Sequence, residues 1–548
     1  MNKIEKFFEN KGYSLEQLRK DDREYKVKNM DKVAERLMYA VQNNQHVHII
    51  ADYDVDGVMS GCIMYQIMTT LGADFTIRFP KKMSEGYGIS EKIVKEIPAG
   101  SLVITVDNGI AAIEAIDLAK ANNLTVMVLD HHQMRGDGIL PAADIIVDPH
   151  ITRDVEDPSQ FEHYCGAGLS FMLAKELRLP VQVLYNTMAL AAIATIQDVV
   201  PLVDDNRNIV KYGLRILNQE KAELPGLYSL MYQLKLQPSR DYRMAITEED
   251  LAFQIGPCVN AMGRMLDDGA EQAFNFLMHY DTFGEDGTRT MVEWNQKRKE
   301  VTASQQNTLE VMADIEMQKN KHMTCMVVCS ADLQEGVIGI NAAKLCEKYQ
   351  MPAIVFTKAE DGNFKGSARS VDDINLKECL DKVSEHILQY GGHAGAAGLT
   401  VEPDKMDDFI KAINKVMPKS NAFKSTWTYD FEVDENEIAE LYHTLRKYAP
   451  YGEGFRPPVV KINNFQLVKS RYNKYYRYIG TNGVSLNGVL IEAVSFNLKE
   501  KFQEMGTPTT LNVVGTMGYS KYSKKPQIMI NEMQEVVRAS NGNWGYLI

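Results

Sequence analysis

Acidic and imidazole side chains stand directly after three hydrophobic segments in the first quarter of this chain. The segments are VHII at 47–50, LVITV at 102–106 and LTVMVL at 124–129, with helical patterns between them. Strands that alternate with helices predict a parallel α/β sheet, whose strands end at one shared edge where ligands bind. We therefore expect the side chains that follow these strands to converge on one crevice. They are Asp52, Asp54, Asp56, Asp107, Asp130, His131 and His132.

Five carboxylates in one crevice repel one another, because like charges at short range strongly raise the pKa of each group. Divalent cations would neutralise them, and oxygen ligands with one or two imidazoles suit Mg²⁺ or Mn²⁺ better than a thiolate-seeking metal. An EF-hand calcium loop does not fit DYDVDG, since that loop needs a preceding helix and a glutamate at its twelfth position. Counted from Asp52, that position holds Ile63.

Helix capping is the structural alternative for each of these acids. An aspartate after a strand is most often the N-cap of the next helix, although three clusters at successive strand ends are hard to explain by capping alone. Asp198 poses the same choice within the apolar segment MALAAIATIQDVVPL at 188–202. A buried acid needs a partner or a metal, and with the cluster upstream we expect Asp198 to be a further ligand.

The size and composition are those of an ordinary globular protein with several domains. The chain has 548 residues, of which 45% are hydrophobic and 24% charged, enough for about three or four domains. Its first residues contain no apolar signal-peptide core, and its apolar runs are too short to cross a bilayer. The seven cysteines are scattered, which favours reduced core thiols over a disulfide or zinc framework. We expect a cytoplasmic protein without membrane contact.

The pattern of predicted elements changes several times along the chain. Strand–helix alternation occurs twice, with a long polar helix around 293–318 before the second occurrence, and short strands with Gly and Asn turns follow. We expect two parallel-sheet α/β lobes joined by the long helix, and a C-terminal all-β, OB-like module. The predicted parts are a helical lead-in at 1–30, a catalytic domain at 31–215, a helical connector at 216–320, a second α/β domain at 321–420 and the β-module at 425–540.

Charge is unevenly distributed along the chain. The net charge is −13, yet residues 461–530 hold ten Lys or Arg and three Glu, a local balance of +7. Within this stretch KSRYNKYYRYIG at 469–480 interleaves cations with aromatic rings. Cations follow a phosphate backbone and rings stack on bases, so the segment is typical of a single-strand-binding surface. A solvated hairpin with cross-strand tyrosine pairs would explain it equally well.

Several segments occur in the order found in a known family. DYDVDG, VDNG, LDHHQ, IQDVVPL and VNAMGR resemble the motifs of the DHH phosphoesterases, and GSARS and GGHAGAAG resemble the DHHA1 domain that accompanies them. With the basic module that follows, the chain is similar, from about 30 to 540, to the family's single-strand-specific 5′→3′ exodeoxyribonucleases. The resemblance implies hydrolysis of single-stranded DNA to mononucleotides with two Mn²⁺ or Mg²⁺ ions, in DNA recombination and repair.

The resemblance also implies roles for individual residues. The metal ligands would be Asp52, Asp54, Asp56, Asp107, His131 and Asp198. The residues that act at the scissile bond would be Asp54, Asp107, His132 and His393. Asp130 would orient one of the ligands. The residues that grip phosphates or the strand would be Asn260, Arg264, Arg369, Ser370, Gly391, Gly392, Lys82, Arg471, Lys474 and Arg477.

The sequence departs from the family's pattern without losing a proposed ligand. The departures are Lys82 for arginine, Cys258 for a basic residue, Gln334-Glu335 for His-Pro, Phe455 for asparagine and Gln197 for a small residue. Several of them lie at phosphate-gripping positions. We therefore expect them to affect recognition of the strand's end and processivity rather than hydrolysis.

Two other functions share parts of this pattern. A small-substrate phosphodiesterase of the same family would cleave nanoRNA, cyclic dinucleotides or a nucleotide 3′-phosphate, but typically lacks a basic β-module. A non-catalytic relative would have lost ligand residues, whereas all of them are present here. For the exonuclease, the resemblance implies single-stranded DNA as substrate, a single-strand-binding protein as partner and a monomeric state.

Overall fold

A computed structural model gives the fold of the chain. It describes all residues except 1, 20–22, 82–84, 136–137, 158, 242–244, 360, 372–373, 393, 420–427, 435–436, 470–476, 481–491, 496–508, 521–524, 536, 539–543 and 546–548. The chain forms two compact units. The first comprises Met1–Gly256, Phe274–Glu285 and Trp427–Ile548, and the second comprises Pro257–Ala273 and Asp286–Thr426.

A parallel five-stranded sheet forms the centre of the first unit. Its strands are β1 (Val47–Ala51), β2 (Phe75–Arg78), β3 (Leu102–Val106), β4 (Thr125–Leu129) and β5 (Ile145–Val147). Their order is β2-β1-β3-β4-β5, and every pair is parallel. β3 is buried along its whole length, as expected for an apolar strand with helices on both faces. The parallel α/β sheet predicted for this part of the chain is confirmed.

Helices precede the strands of this sheet, alternate with them and follow them along the chain. In chain order they are α1 (Lys3–Asn10), α2 (Leu15–Arg19), α3 (Met30–Gln42), α4 (Val55–Leu71), α5 (Glu91–Val94), α6 (Ile113–Ala121), α7 (Pro149–Thr152), α8 (Gly166–Glu176), α9 (Val181–Gln197), α10 (Asp204–Asn218), α11 (Pro225–Gln233), α12 (Glu248–Asp250), α13 (Gly256–Met265), α14 (Gly269–Met278) and α15 (Tyr280–Lys319). A π-helical turn, Leu251–Ile255, lies between α12 and α13. The long helix predicted between the two lobes is α15, and its first turn is kinked at Gly284. Among the described residues, no helix is long and apolar enough to cross a membrane.

The sheet of the second unit is mixed rather than parallel. Its strands are β6 (Met326–Cys329), β7 (Ala353–Lys358), β8 (Phe364–Arg369), β9 (Gln389–Gly392) and β10 (Ala396–Val401), in the order β6-β7-β8-β10-β9. Its helices are α16 (Ile338–Tyr349), α17 (Leu376–Asp381) and α18 (Met406–Val416). Only β6 and β7, which flank α16, pair in parallel. The remaining pairs, β7 with β8, β8 with β10 and β9 with β10, are antiparallel. Short connections, such as those from β7 to β8 and from β9 to β10, can join only antiparallel neighbours. The expectation of a parallel second sheet was therefore wrong beyond its first pair.

The last part of the chain forms a closed barrel. Its elements are β11 (Phe431–Val433), α19 (Ile438–Tyr448), β12 (Val459–Lys469), β13 (Arg477–Gly480), β14 (Glu492–Val494), β15 (Thr509–Ser520), β16 (Lys525–Glu535), β17 (Val537–Arg538) and β18 (Trp544–Gly545). β12 to β16 pair in the order β12-β13-β14-β16-β15, and β15 returns to β12. β14 and β16 are parallel. A five-stranded barrel of this kind is an OB fold, which confirms the predicted module.

The two N-terminal helices belong to the core of this barrel. Ile4 and Phe8 of α1 and Leu18 of α2 are buried in one cluster with residues of α19 and the barrel strands. Phe8 stacks on Phe455 at 5.2 Å between ring centroids. Both ends of the chain therefore contribute to one hydrophobic core.

Candidate metal centre

Three neighbouring strands each place an aspartate at the same edge of the first sheet. Asp52 follows β1, Asp107 follows β3 and Asp130 follows β4, and these strands are adjacent. Asp54 is the N-cap of α4, where its Oδ1 accepts a hydrogen bond from the Gly57 N–H at 3.1 Å. Capping and ligation are compatible here, because a carboxylate has a second oxygen and further lone pairs.

His131 lies among the carboxylates. Its Nε2 is 3.1 Å from Asp107 Oδ1, 3.5 Å from Asp56 Oδ2 and 3.7 Å from Asp198 Oδ2. The potential ligand atoms form three overlapping groups, and within each group they lie within 4.8 Å of one another. The groups are Asp107, Asp130, His131 and His132; Asp56, His131 and Asp198; and Asp52, Asp54 and Asp107. The structure thus brings together all the acids and imidazoles that the sequence singled out for this crevice.

Asp56 is fixed by the start of α8. Its two oxygens accept hydrogen bonds from the N–H groups of Gly166 at 2.6 Å and Ala167 at 2.8 Å. A helix N-terminus favours negative charge through its free N–H groups. Position 166 must be glycine, since a Cβ there would lie 2.5 Å from the Cβ of Asp107. The α8 backbone therefore closes directly on two of the candidate ligands.

Asp130 and His132 form a tight pair at the edge of the cluster. His132 Nδ1 lies 2.7 Å from Asp130 Oδ1, and Asp130 Oδ2 accepts from the Ile110 N–H at 2.8 Å. Burial opposes the protonated imidazole, but the bond to Asp130 outweighs it and raises the pKa of His132 to about 10. Burial likewise opposes ionisation of Asp130, yet His132 and the backbone donor hold the pKa of this carboxyl below its usual range. This geometry suits an acid that orients its neighbour.

Burial and crowding raise the pKa values of three further carboxyls. Burial, followed by the charge of Asp54, raises the pKa of Asp52 to about 7. Burial and the neighbouring acids Asp56 and Asp54 also raise the pKa values of Asp107 and Asp198. These shifts indicate an excess of negative charge that one or more cations would relieve. Carboxylate oxygens with one imidazole nitrogen are ligands that suit Mn²⁺ or Mg²⁺.

The backbone around Asp107 is unusual. Asp107 has a φ of 63°, in the left-handed region that few residues other than glycine adopt. Its neighbour Asn108 is buried and donates to the carbonyl oxygens of Ile50 and Val106, at the ends of β1 and β3. Asn108 Oδ1 accepts the Ile89 N–H at 3.0 Å. The turn after β3 is thus held in a strained conformation by its surroundings, as is common at functional sites.

Asp148 is an acid at this edge that the sequence analysis did not select. It follows β5, is fully buried, and caps α7 through the His150 N–H at 3.0 Å. Its Oδ2 has no hydrogen-bond partner among the described residues. Burial and the charge of Asp130 raise the pKa of Asp148 to about 7. The signal was present in the sequence, since DIIVDPH repeats the pattern of an apolar strand followed by an aspartate.

Gln197, the last residue of α9, anchors this end of the helix, next to Asp198, to the π-helical turn. Its Nε2 donates to the carbonyl oxygens of Leu251 at 2.9 Å and Ala252 at 2.7 Å, both in the π-helical turn. A Cβ at Gly256 would lie 2.0 Å from the Gln197 side chain, so only glycine allows this contact. Gln197, which stands where the family usually has a small residue, therefore links the candidate ligand Asp198 to a π-turn. Such turns often occur at functional sites.

The predicted phosphate-gripping residues of the second unit lie on α13, on β8 and just after it, and on β9. Asn260 and Arg264 are one turn apart on α13, and Arg264 Nη1 donates to the Gly336 carbonyl at 3.3 Å. Arg369 ends β8 and packs on Gly339 in the first turn of α16. Ser370 uses its hydroxyl to donate to the Ile374 carbonyl at 2.7 Å. Gly391 and Gly392 are exposed residues of β9.

Arg298 of α15 is a cation that the sequence analysis did not select. Its Nε and Nη2 donate to Asn295 Oδ1 at 3.2 and 2.9 Å, and Asn295 in turn contacts the Cys258 thiol at 3.3 Å. Burial, and then the nearby charge of Arg264, lower the pKa of Arg298. A second cation thus lies close to Arg264, and Asn295 connects it to Cys258, at a position where a basic residue is common in the family.

Some predicted site residues lie outside the described part of the chain. They are Lys82, His393, Arg471 and Lys474, and of Arg477 only the backbone, in β13, is described. Their roles remain predictions.

The metal-free cluster should destabilise the fold as pH rises. The raised pKa values of Asp52 and Asp107 mean that the folded state binds protons more tightly than the unfolded state, whose aspartates titrate near about 3.9. The free energy of unfolding in EDTA should therefore fall between about pH 4 and 7, and added Mn²⁺ should restore it. Asp107→Asn should raise the melting temperature in EDTA by a few degrees at pH 8 and abolish the shift on adding Mn²⁺. Calorimetry at several pH values measures both effects.

The matched control for that experiment is Asp404→Asn, which removes an exposed acid outside the cluster. It should leave both the pH profile and the Mn²⁺ response unchanged. A metal-free melting temperature of the wild type that rises toward pH 8 would contradict the predicted crowding.

Gln197→Glu should remove the hydrogen bonds that anchor the end of α9, next to Asp198, to the π-helical turn. The carboxylate keeps the size of the side chain but would face two carbonyl oxygens without a donor. We expect faster amide hydrogen exchange at 251–256 and roughly tenfold weaker Mn²⁺ binding, as for other residues that orient ligands. Gln182→Ala is the control, since Gln182 lies on the same helix and donates to the Lys221 carbonyl far from the cluster. Equal Mn²⁺ affinity of Gln197→Glu and the wild type would refute the coupling.

Family models match three separate parts of the chain. The DHH family N-terminal domain matches residues 46–195, the DHHA1 domain matches 320–419 and the RecJ OB domain matches 429–532. The first match contains the parallel sheet and the whole acidic cluster except Asp198, the second contains the mixed sheet, and the third covers most of the closed barrel.

The curated relatives that match most of the chain share one name. The single-stranded-DNA-specific exonuclease RecJ of Bacillus subtilis is 32% identical over 530 residues, which cover 93% of this chain and 64% of the relative. The chain thus spans somewhat less than two thirds of that protein's length. The RecJ of Escherichia coli is 28% identical over 499 residues, which cover 86% of this chain and 83% of the relative.

Solved structures give the same fold. RecJ from Thermus thermophilus in complex with Mn²⁺ matches with a TM-score of 0.78 at 22% identity, covering 96% of this chain and 75% of that one. An exonuclease RecJ bound to manganese matches with a TM-score of 0.61 at 26% identity, covering 73% of this chain and 97% of that one. The chain therefore contains matches to a DHH domain, a DHHA1 domain and a RecJ OB domain, and over most of its length it is similar to these RecJ proteins.

Proposed function

We propose that this chain is a metal-dependent exonuclease that hydrolyses single-stranded DNA from the 5′ end and releases mononucleotides. The observation that carries the proposal is the cluster of carboxylates around His131, in a chain that also contains an OB barrel. The names of the RecJ relatives support the same substrate and reaction. Recombination and repair are the processes in which we expect the activity to serve.

The residues of the cluster would hold two Mn²⁺ or Mg²⁺ ions. We assign this role to Asp52, Asp54, Asp56, Asp107, His131 and Asp198. When bound, the ions would lower the pKa of a water molecule and neutralise charge on the phosphate. Burial lowers the pKa of His131 to about 4, with the nearby His132 adding to the effect. A neutral imidazole of this kind is able to ligate a metal.

His132 would act on the leaving group. Its raised pKa keeps the ring protonated near neutral pH, and the contact with Asp130 engages Nδ1. Nε2 would therefore carry the second proton, which can be donated to a phosphate oxygen or to the departing 3′ oxygen. Asp130 would orient the ring without touching the substrate. His393 remains a predicted participant on the strength of the resemblance alone.

Cations of the second unit would bind the phosphates of the strand. Arg264 and Arg369 are the predicted residues, and Arg298 adds a guanidinium near Arg264. Guanidinium groups suit phosphates because they donate planar pairs of hydrogen bonds. Asn260 lies on the same face of α13 as Arg264, one turn away, and the exposed backbone of Gly391 and Gly392 would be accessible to a phosphate.

The barrel favours a polymeric substrate over a dinucleotide. OB barrels bind single strands through a basic groove and aromatic rings on which bases stack, and the +7 balance of residues 461–530 fits this mode. The small-substrate alternative gives the barrel no role. A single-strand-binding protein as partner, a monomeric state and the cytoplasm as location remain predictions from the sequence.

A degradation assay tests the proposed function. Internally labelled single-stranded DNA with a free 5′ end should release mononucleotides in Mn²⁺ but not in EDTA, while its duplex form and a 5′-blocked strand should be degraded much more slowly. Asp107→Asn should abolish the reaction and Asp404→Asn should not. An intact long strand beside a hydrolysed dinucleotide would move the protein to the small-substrate class.

Replacing Arg471, Lys474 and Arg477 by alanine should weaken binding of long strands. If each cation contacts one phosphate, the slope of log affinity against log salt should decrease by about 2, since each contact contributes roughly 0.7 for a single strand. Hydrolysis of a dinucleotide should not change. Lys405, Lys411 and Lys415, all near or on α18, give a control triple with the same loss of charge. An unchanged salt slope in the first triple would exclude this stretch as the strand-binding surface.

Substitution is preferable to deleting the barrel in this experiment. Removing the chain from β11 onward would expose Ile4, Phe8 and Leu18, which are buried against barrel residues. Loss of activity in a truncated chain would then report unfolding of the shared core as readily as loss of strand binding.

A further inference from the structure

A pair of tyrosines, Tyr53 and Tyr87, borders the acidic cluster and has no part in the metal binding or proton transfer proposed above. Tyr53 stands between Asp52 and Asp54 in the chain, and its ring centroid is 5.2 Å from that of Tyr87, at an interplanar angle of 55°. Tyr53 is partly buried, whereas 70% of Tyr87 is exposed. A tyrosine that served only to fill space would be expected to bury its ring. Tyr87 instead presents it to solvent beside candidate ligands.

The turn that carries Tyr87 is anchored to two of the strand ends that build the cluster. The Gly88 N–H donates to Asp52 Oδ1 at 3.3 Å, and the next residue, Ile89, donates to Asn108 Oδ1 at 3.0 Å. Gly88 has a φ of 55°, and a Cβ there would lie 2.7 Å from Asn108. The position of the ring is therefore coupled to the residues that follow β1 and β3.

A third anchor lies on the other side of the turn. Glu85, whose side chain is only 4% exposed, pairs with Arg78 at the end of β2 at 2.7 Å. Glu85 Oε2 also accepts the Lys81 N–H at 3.1 Å. The exposed ring of Tyr87 is thus carried by a turn tied to β1, β2 and β3 together. Such an arrangement preorganises an aromatic surface instead of leaving it on a loose loop.

We propose that Tyr87, supported by Tyr53, is a stacking surface for the nucleobase adjacent to the scissile phosphate. A base is separated from its phosphate by one sugar, and Tyr53 is covalently flanked by two candidate ligands of the metal centre. Stacking on an aromatic ring is tolerant of sequence, because every base has a π-face. The pair would therefore hold any terminal nucleotide in register for cleavage, in keeping with an exonuclease that degrades strands of all sequences. This inference rests on the proposed function.

The test compares intact and abasic substrates in four proteins: the wild type, Tyr87→Ala, Tyr87→Phe and Tyr232→Ala. The substrates are one 5′-phosphorylated single strand and two copies of it with a tetrahydrofuran abasic residue at nucleotide 1 or 2. The wild type and Tyr87→Phe should lose about tenfold in kcat/KM on one abasic strand, within the five- to 150-fold range of a stacked base. Tyr87→Ala should show that loss already on the intact strand, mainly in KM, and little more on the abasic strand.

Tyr232→Ala is the matched control, since Tyr232 of α11 is also highly exposed, at 66%, but lies outside the cluster. It should behave as the wild type. The Mn²⁺-induced rise in melting temperature should be the same in all four proteins, which separates loss of stacking from damage to the metal centre.

A binding experiment gives a readout independent of turnover. In an Asp107→Asn background, a strand with 2-aminopurine at nucleotide 1 or 2 should be quenched on binding when residue 87 is tyrosine or phenylalanine, and not when it is alanine. If the reductions in kcat/KM caused by Tyr87→Ala and by each abasic residue are independent and multiply, and if 2-aminopurine quenching does not depend on residue 87, the stacking proposal is wrong. If the wild type does not degrade single-stranded DNA at all, the proposed function itself fails, whichever result the quenching gives.

Discussion

Repulsion between carboxylates at one edge of the parallel sheet is the constraint on which the rest of the structure depends. Two like charges about 4 Å apart repel by roughly 4 kcal/mol at the effective dielectric of a protein surface. Several such pairs would exceed the roughly 5–15 kcal/mol that stabilises a typical domain. The chain nonetheless buries Asp56 and Asp107 almost completely beside Asp198. Such a cluster is stable only if protons or cations neutralise it, and only cations leave the carboxylates available as ligands at neutral pH.

The scaffold around the cluster is organised to tolerate this charge. The first turn of α8 donates two N–H groups to Asp56, and the Ile110 N–H donates to Asp130. The Asp130–His132 pair is different in kind, because it is internally neutralised and fixes an imidazole instead of a metal. The same edge of the sheet therefore contains two electrostatic environments. One needs added positive charge, and the other already contains it in a protonated ring.

Hydrophobic patterns in short stretches of the sequence were sufficient to predict the first sheet and the residues at its edge. The apolar strands and the acids directly after them could be predicted, because strand ends in a parallel sheet share an edge. Asp148 follows the same rule at the end of β5, a strand of three residues, and was missed. The brace from Gln197 to the π-turn and the position of Arg298 near Arg264 could not be predicted, since both depend on side chains brought together over long sequence separations. The antiparallel pairing in the second sheet depended on connection lengths that hydrophobic patterns leave undefined.

The packing of α1 against the barrel has a consequence for the order in which the protein can form. Domains generally fold during synthesis from the N-terminus onward, but Ile4 and Phe8 have their buried partners at Val433 and beyond. The parallel sheet, whose strands end at Val147, has its own core and depends on no residue of the barrel strands for its pairing. A nascent chain would therefore assemble the acidic cluster early while its first helix stays exposed until the barrel emerges. Although α1 is made well before the barrel, it would be buried only after the barrel, and its apolar face would be available to a chaperone until the barrel strands emerge.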